Sequence, residues 1–131
     1  MNTQEFIRSF EDLSIDPSVF DHQHHVLMTW HYLNFYPFEV AEQKIFSGLT
    51  NLTRHLGVYD TKYHQTITYA YVKLIHSAIK KDPNRNWETF KNNNPNVFKP
   101  VRELMKEHYS FDVFESNEAK LYKMDPDLKS F

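Results

Sequence analysis

The sequence predicts an all-α fold, a single compact up-and-down helical bundle over residues 1–131 with short helices toward its C-terminal end. Three observations carry that expectation. Apolar residues recur at helical spacing in four successive stretches. Glycine is scarce, only Gly48 and Gly57, which argues against a sheet built on tight hairpins. The joints between apolar stretches are brief and marked by Pro, Asp or Gly. With 131 residues, 40% apolar and 24% charged, the chain is long enough to bury a core without covalent staples, and it has no cysteine.

Each element follows from local chemistry. Residues 3–13 place Phe6, Ile7, Phe10 and Leu13 on one helical face. "SIDPSVF" ends that helix, because Pro17 pushes Asp16 out of the helical region. Asp21 is expected to cap a second helix over 22–36. Pro37 suits the first position of a third, which runs to about Leu56 and stops at Gly57. A fourth is predicted from about Lys62 to Lys80, where two lysines suit the negative end of its dipole. Past the "DPNRN" turn the pattern weakens: one short helix over Trp87–Lys91, one opened by Pro100 and running through His108, and a last one capped by Ser116.

Composition narrows the function. Net charge is −2, so no basic field calls for nucleic acid. No apolar run reaches the roughly 18 residues that span a bilayer, and "MNTQEFIRSFEDL" lacks the basic-then-apolar pattern of a signal peptide. A cytoplasmic protein with no membrane association is therefore expected. Glycine-rich phosphate loops, a Gly-x-Ser-x-Gly elbow and an H-E-x-x-H pair are missing from the sequence.

Eight histidines are the unusual feature. At about 100° per residue, the second predicted helix turns His22 and His25 toward its apolar face and His24 and His31 away from it. The fourth turns His64 inward, between Tyr71 and Ile75, and His76 outward. Short loops predict that these two helices run in the same direction, which brings the three inward rings to one end of the bundle.

Three readings follow. In the first, His22, His25 and His64 hold a divalent ion, zinc or iron, with an open position for a small-molecule substrate; Asp21 and Asp60 are the nearby carboxylates. The chain is then a metal-binding protein or a small metalloenzyme. In the second, helix N-termini and the walls Tyr32, Tyr63, Thr68 and Tyr71 form a metal-free pocket for an anion or other small molecule. The third makes the chain an interaction module that presents aromatics such as Phe35, Phe111 and Phe114. A lone first-turn histidine is most simply a cap, and His24, His31, His55 and His76 are most simply solvent-facing. His108, in "KEHYS", is a further pocket residue whose orientation the pattern does not fix.

The stretches "FDHQHHVLMTWHYL", "LGVYDTKYHQTIT" and "PDLKSF" resemble a family of small, mainly bacterial helical proteins. That family carries H-x-x-H on a helix, then Y-H-E-T-x-T, then an acidic Pro-Asp near the C-terminus. The resemblance falls on His22, His25, Tyr63, His64, Thr66, Thr68, Pro126 and Asp127. It implies a site shared by those residues and names no reaction. Gln65 stands where the family has Glu, so a carboxylate acid or base there is lacking in this chain.

Overall fold

A computed structural model describes residues 2–131. Among these residues there are eight α-helices and two short 3-10 turns, and no strand, so the fold is all-α. None of the helices is long and apolar enough to cross a membrane. Packing divides the chain into two compact units, one ending at Tyr63 and the other running from His64 to Phe131.

The first unit holds α1 (Thr3–Glu11), α2 (His22–Phe35), α3 (Phe38–His55) and α4 (Tyr59–Lys62). Asn2 caps α1 and Asp21 caps α2, each carboxyl or amide oxygen accepting a backbone N–H of the first turn. Pro37 sits one place earlier than expected, at the cap position of α3. Gly57 ends the α3 segment with φ +72, a left-handed conformation that costs glycine nothing. Where the sequence suggested only a loop, "YDTK" winds into the single turn of α4.

Both α1 and α2 pack on α3. Their shared core includes Phe6, Phe10, Val26, Met28, Ile45 and Leu49, all buried. Gly48 of α3 allows a close approach: a Cβ there would stand 2.5 Å from the ring of Phe10. That ring has little room to yield, because it stacks on Phe20 at 5.7 Å and leans on Tyr32 at 6.4 Å.

The second unit contains α5 (Gln65–Lys81), α6 (Trp87–Asn93), α7 (Val101–His108) and α8 (Asn117–Leu121). Ser116 caps α8 as expected, and Pro100 precedes α7. α5 packs on α8. Residues 122–131 form neither helix nor strand and run as an irregular strap within this unit.

Gly48→Ala tests the tight approach. Overpacking of this kind costs about 1–3 kcal/mol, so urea unfolding of the variant is expected to show a loss in that range, with the denaturant slope unchanged.

Candidate functional site

In the first unit the histidines of α2 are distributed differently from the helical-wheel expectation. His22 is exposed, while His24, His25 and His31 are all partly buried. The wheel assumed one apolar face. Instead Val26, Leu27, Met28, Thr29, Trp30, Tyr32 and Leu33 are all buried, so α2 is covered on nearly every side and has no outward stripe to fix its phase. Asp21 Oδ1 accepts both the His24 backbone N–H at 2.9 Å and His24 Nδ1–H at 2.7 Å. The His24 ring lies 5.1 Å from that of Phe6. His25 meets Phe20 edge-on at 6.0 Å. Burial, with His22 adding a smaller repulsion, pushes the His25 imidazole down to about 4. His31 is also pushed down by burial, and its Nδ1 is buried without a hydrogen-bond partner.

Tyr32 donates to Glu11 Oε2 at 2.7 Å. Burial, then the bond to Glu11, raises the tyrosine's pKa. Both residues line a shallow cleft of about 200 Å3 that also contains Lys44. Tyr63 is buried and stacks on Tyr59 at 5.1 Å. Phe35, proposed for a partner surface, is 50% exposed.

In the second unit His64 occupies the cap position of α5 rather than its first turn. Nδ1 accepts the Ile67 N–H at 3.1 Å, so it carries no proton. Nε2 must then hold the ring hydrogen, and it donates to the Val113 carbonyl at 2.8 Å. Both nitrogens of the neutral ring are thereby engaged. Burial lowers the pKa of His64, and the nearby Lys120 adds to that against the opposing bond to Val113. Phe114 sits 6.2 Å from the His64 ring and also lies under the Arg102 guanidinium, which is 4.1 Å from its centre.

The threonines of the "YHQTIT" stretch are bound just as closely. Thr68 donates to the His64 carbonyl at 2.8 Å, within its own helix. Thr66 donates to the Tyr122 carbonyl at 2.5 Å and accepts the Met124 N–H at 3.2 Å. Tyr69 donates to Asp125 Oδ1 at 2.6 Å. Tyr71 is buried, and desolvation raises its pKa. The carboxylate of Asp127 accepts the Ser110 N–H at 2.8 Å and also the Ser110 hydroxyl. Thr66 and Tyr69 thus hold the strap of residues 122–131 to α5, and Asp127 holds it to the segment after α7.

His108 is the residue whose place the sequence left open. It is only 3% exposed. Nδ1 lies 2.7 Å from the Lys129 carbonyl. A carbonyl only accepts, so Nδ1 carries a hydrogen. The ring of Phe131 rests on it at 4.5 Å. His108 lines a cleft of about 270 Å3, together with Leu104, Val97, Lys129 and Phe131. None of Tyr32, Tyr63, Thr68 and Tyr71 lines this cleft. A lone histidine near the end of a weakly patterned helix gave no sequence signal for it beyond the residue type.

Comparison with protein-family models, with curated proteins and with solved structures returned no match. His22 and His25 belong to the first unit, and His64 opens the second. Among the described residues no group of three or more His, Cys, Asp or Glu side chains is placed to hold a metal ion.

Two predictions follow from the histidines. His64→Ala removes a helix cap and a hydrogen bond to Val113, and a loss of about 1–3 kcal/mol is expected in urea unfolding. His64→Asn, which can still cap, should recover part of it, and nitrogen-15 histidine spectra of the parent protein should show the neutral Nε2–H tautomer. An Nδ1–H signal assigned to His64 would overturn the assignment. The second concerns acid. The folded state holds His25 at about 4 against an ordinary 6.5, so the unfolded state binds more protons between those values. Stability should be full above pH 6.5 and fall as the pH drops toward 4, and His25→Asn should flatten that acid limb in a pH series of melting curves.

Proposed function

We propose that the chain is a small-molecule-binding protein whose site is the cleft of the second unit, with His108 as its polar anchor. One observation carries the reading. A histidine 3% exposed has one nitrogen fixed by a backbone carbonyl and stands in the wall of a cleft. Burying an imidazole costs free energy unless its polar atoms are used. Here Nδ1 is bonded, and no hydrogen bond from another described residue reaches Nε2, which is open to water or to a ligand.

The surroundings support it. Apolar floor and polar rim are the usual make-up of a ligand site. Leu104 and Val97 are buried in the floor, and Lys129 and Asn96 are exposed at the rim. The volume, about 270 Å3, falls just under the roughly 300 Å3 at which pockets for drug-sized ligands begin, so the ligand is small. Binding is the part this geometry supports.

The three-histidine metal reading asks more of the chain. His64 would have to surrender both the Ile67 N–H and the Val113 carbonyl, and shed or shift its ring hydrogen, to offer a lone pair.

Backbone amide spectra recorded against a library of small polar and aromatic fragments test the proposal. Shifts are expected to cluster on 97, 104–108 and 129–131. A cluster around Tyr32 and Lys44 instead, or a zinc titration that moves His22, His25 and His64 together, would overturn it.

A further inference from the structure

We infer that residues 122–131 are a strap that lifts from the folded second unit as one piece, and that this motion opens and closes the His108 cleft. The opening stands on the strap's own packing; its use as a gate rests on the reading of this cleft as the ligand site.

The strap is fastened to the unit without belonging to its core. None of its ten residues is buried and seven are exposed, Tyr122 at 64% and Leu128 at 60% among them. The buried apolar core of the unit, which includes Val72, Ile75, Phe90, Leu104 and Val113, takes its last member, Ala119, from α8. Burial of apolar surface is the main force that holds a segment to a protein, and this segment has little of it. Hydrogen bonds tie it down. Thr66 donates to the Tyr122 carbonyl and accepts the Met124 N–H, Tyr109 donates to the Met124 carbonyl, and Tyr69 donates to Asp125. Farther along, Ser110 donates to Asp127, the Leu128 N–H donates to the His108 carbonyl, and His108 Nδ1–H donates to the Lys129 carbonyl. When a segment lifts, such bonds are exchanged for bonds to water, so each gives only a small net gain. Few buried apolar contacts and solvent-facing backbone bonds mark the least stable cooperative parts of a fold.

The surface beneath is suited to losing the strap. Thr66, His108 and Tyr109 are buried there, and water that follows the departing strap reaches the polar atoms it had engaged. α8 packs on α5 and stays behind as the anchor.

Lys129, Ser130 and Phe131, at the far end of the strap, line the cleft together with Leu74 and Ala78 of α5 and Leu104 of α7. The Phe131 ring rests on His108, with 4.5 Å between centres. Lifting the strap removes that wall and uncovers the ring and the floor at Val97, which is 2% exposed while the strap is down. A molecule seated against both walls has contacts in the closed state that the open state lacks, so it draws the strap shut. One element then admits a ligand and holds it, the role of a lid.

Two measurements on the full chain test this. Native-state hydrogen exchange reads the strap through the amides of Met124 and Leu128. Both are expected to exchange by an opening nearly independent of urea, whereas Val72 and Ile75 of α5 should accelerate steeply with urea, as unfolding of the core does. The second measurement reads the cleft. The chain has no cysteine, so Val97→Cys places a single thiol in the floor, where N-ethylmaleimide labels it when the strap is up. That labelling should also be nearly independent of urea. Tyr69→Phe and Tyr109→Phe each remove one strap bond, and neither tyrosine nor its partner, Asp125 or Met124, lines the cleft. Each should nevertheless speed the strap amides and the thiol labelling alike by about fivefold, the effect of one net hydrogen bond. Strap amides that follow Val72 and Ile75 in urea would overturn the opening, and this readout needs no cysteine variant. Thiol labelling that both tyrosine variants leave unchanged would overturn the gate. A cleft in which no fragment causes shifts, with the thiol still labelled through the strap, would remove the ligand reading and uphold the opening.

Discussion

An irregular segment packed on a protein must find partners for backbone groups that a helix would satisfy internally, and in the second unit that requirement organises everything around it. Residues 122–131 have no ladder and no helix of their own. Side chains supply what is missing: Thr66 serves the Tyr122 carbonyl and the Met124 N–H, Tyr109 the Met124 carbonyl, and His108 the Lys129 carbonyl. The backbone carbonyl of His108 takes the Leu128 N–H. Each such bond is worth only about 1 kcal/mol net, so the strap is held by several modest bonds acting together rather than by one strong one. The wall of the His108 cleft is built from the end of this strap, so the cleft inherits its geometry.

The first unit solves a different problem. α2 is buried on nearly all sides, and four of the chain's histidines lie along it. Three of them are spent inside on ring packing and capping rather than left in solvent: His24 on Phe6 and Asp21, His25 against Phe20, His31 between Tyr32 and Phe35. Desolvation keeps His25 and His31 uncharged at neutral pH, because their ordinary value of 6.5 is lowered. The arrangement suits a core that must stay closed near neutrality and yields in acid.

Much of the helical framework was legible in the residues. Asp21, Gly57 and Ser116 punctuate the chain where side-chain chemistry says they should, because caps and left-handed stops act within a few residues. The rotational phase of α2 was not legible, since a helix apolar all round has no moment to read. For α5 a capping histidine was one reading of the sequence, but the helix start was set at about Lys62, before the Gln65 at which it begins. Histidine is outside the usual capping set, and only the Val113 carbonyl, 49 positions away, reveals why an imidazole stands there. The strap was hidden as well, because its order comes from partners distant in sequence, such as Thr66 with Tyr122 and Ser110 with Asp127. His108 shows the same limit: its residue type hinted at a site, and only the Lys129 carbonyl tells which nitrogen is committed to the backbone.

The notch that Gly48 leaves for Phe10 has a consequence for how α1 and α3 find each other. Apolar helices attract in many registers, since hydrophobic burial has no direction. A bulky ring facing a missing side chain does have one. If α1 slid by a turn along α3, Phe10 would come to rest over Lys44 or Leu52, four residues to either side, where a side chain already fills the space. The glycine adds almost nothing to the attraction between the helices. It acts by exclusion, making the neighbouring alignments too tight, so that one pairing survives among several that are about equally greasy.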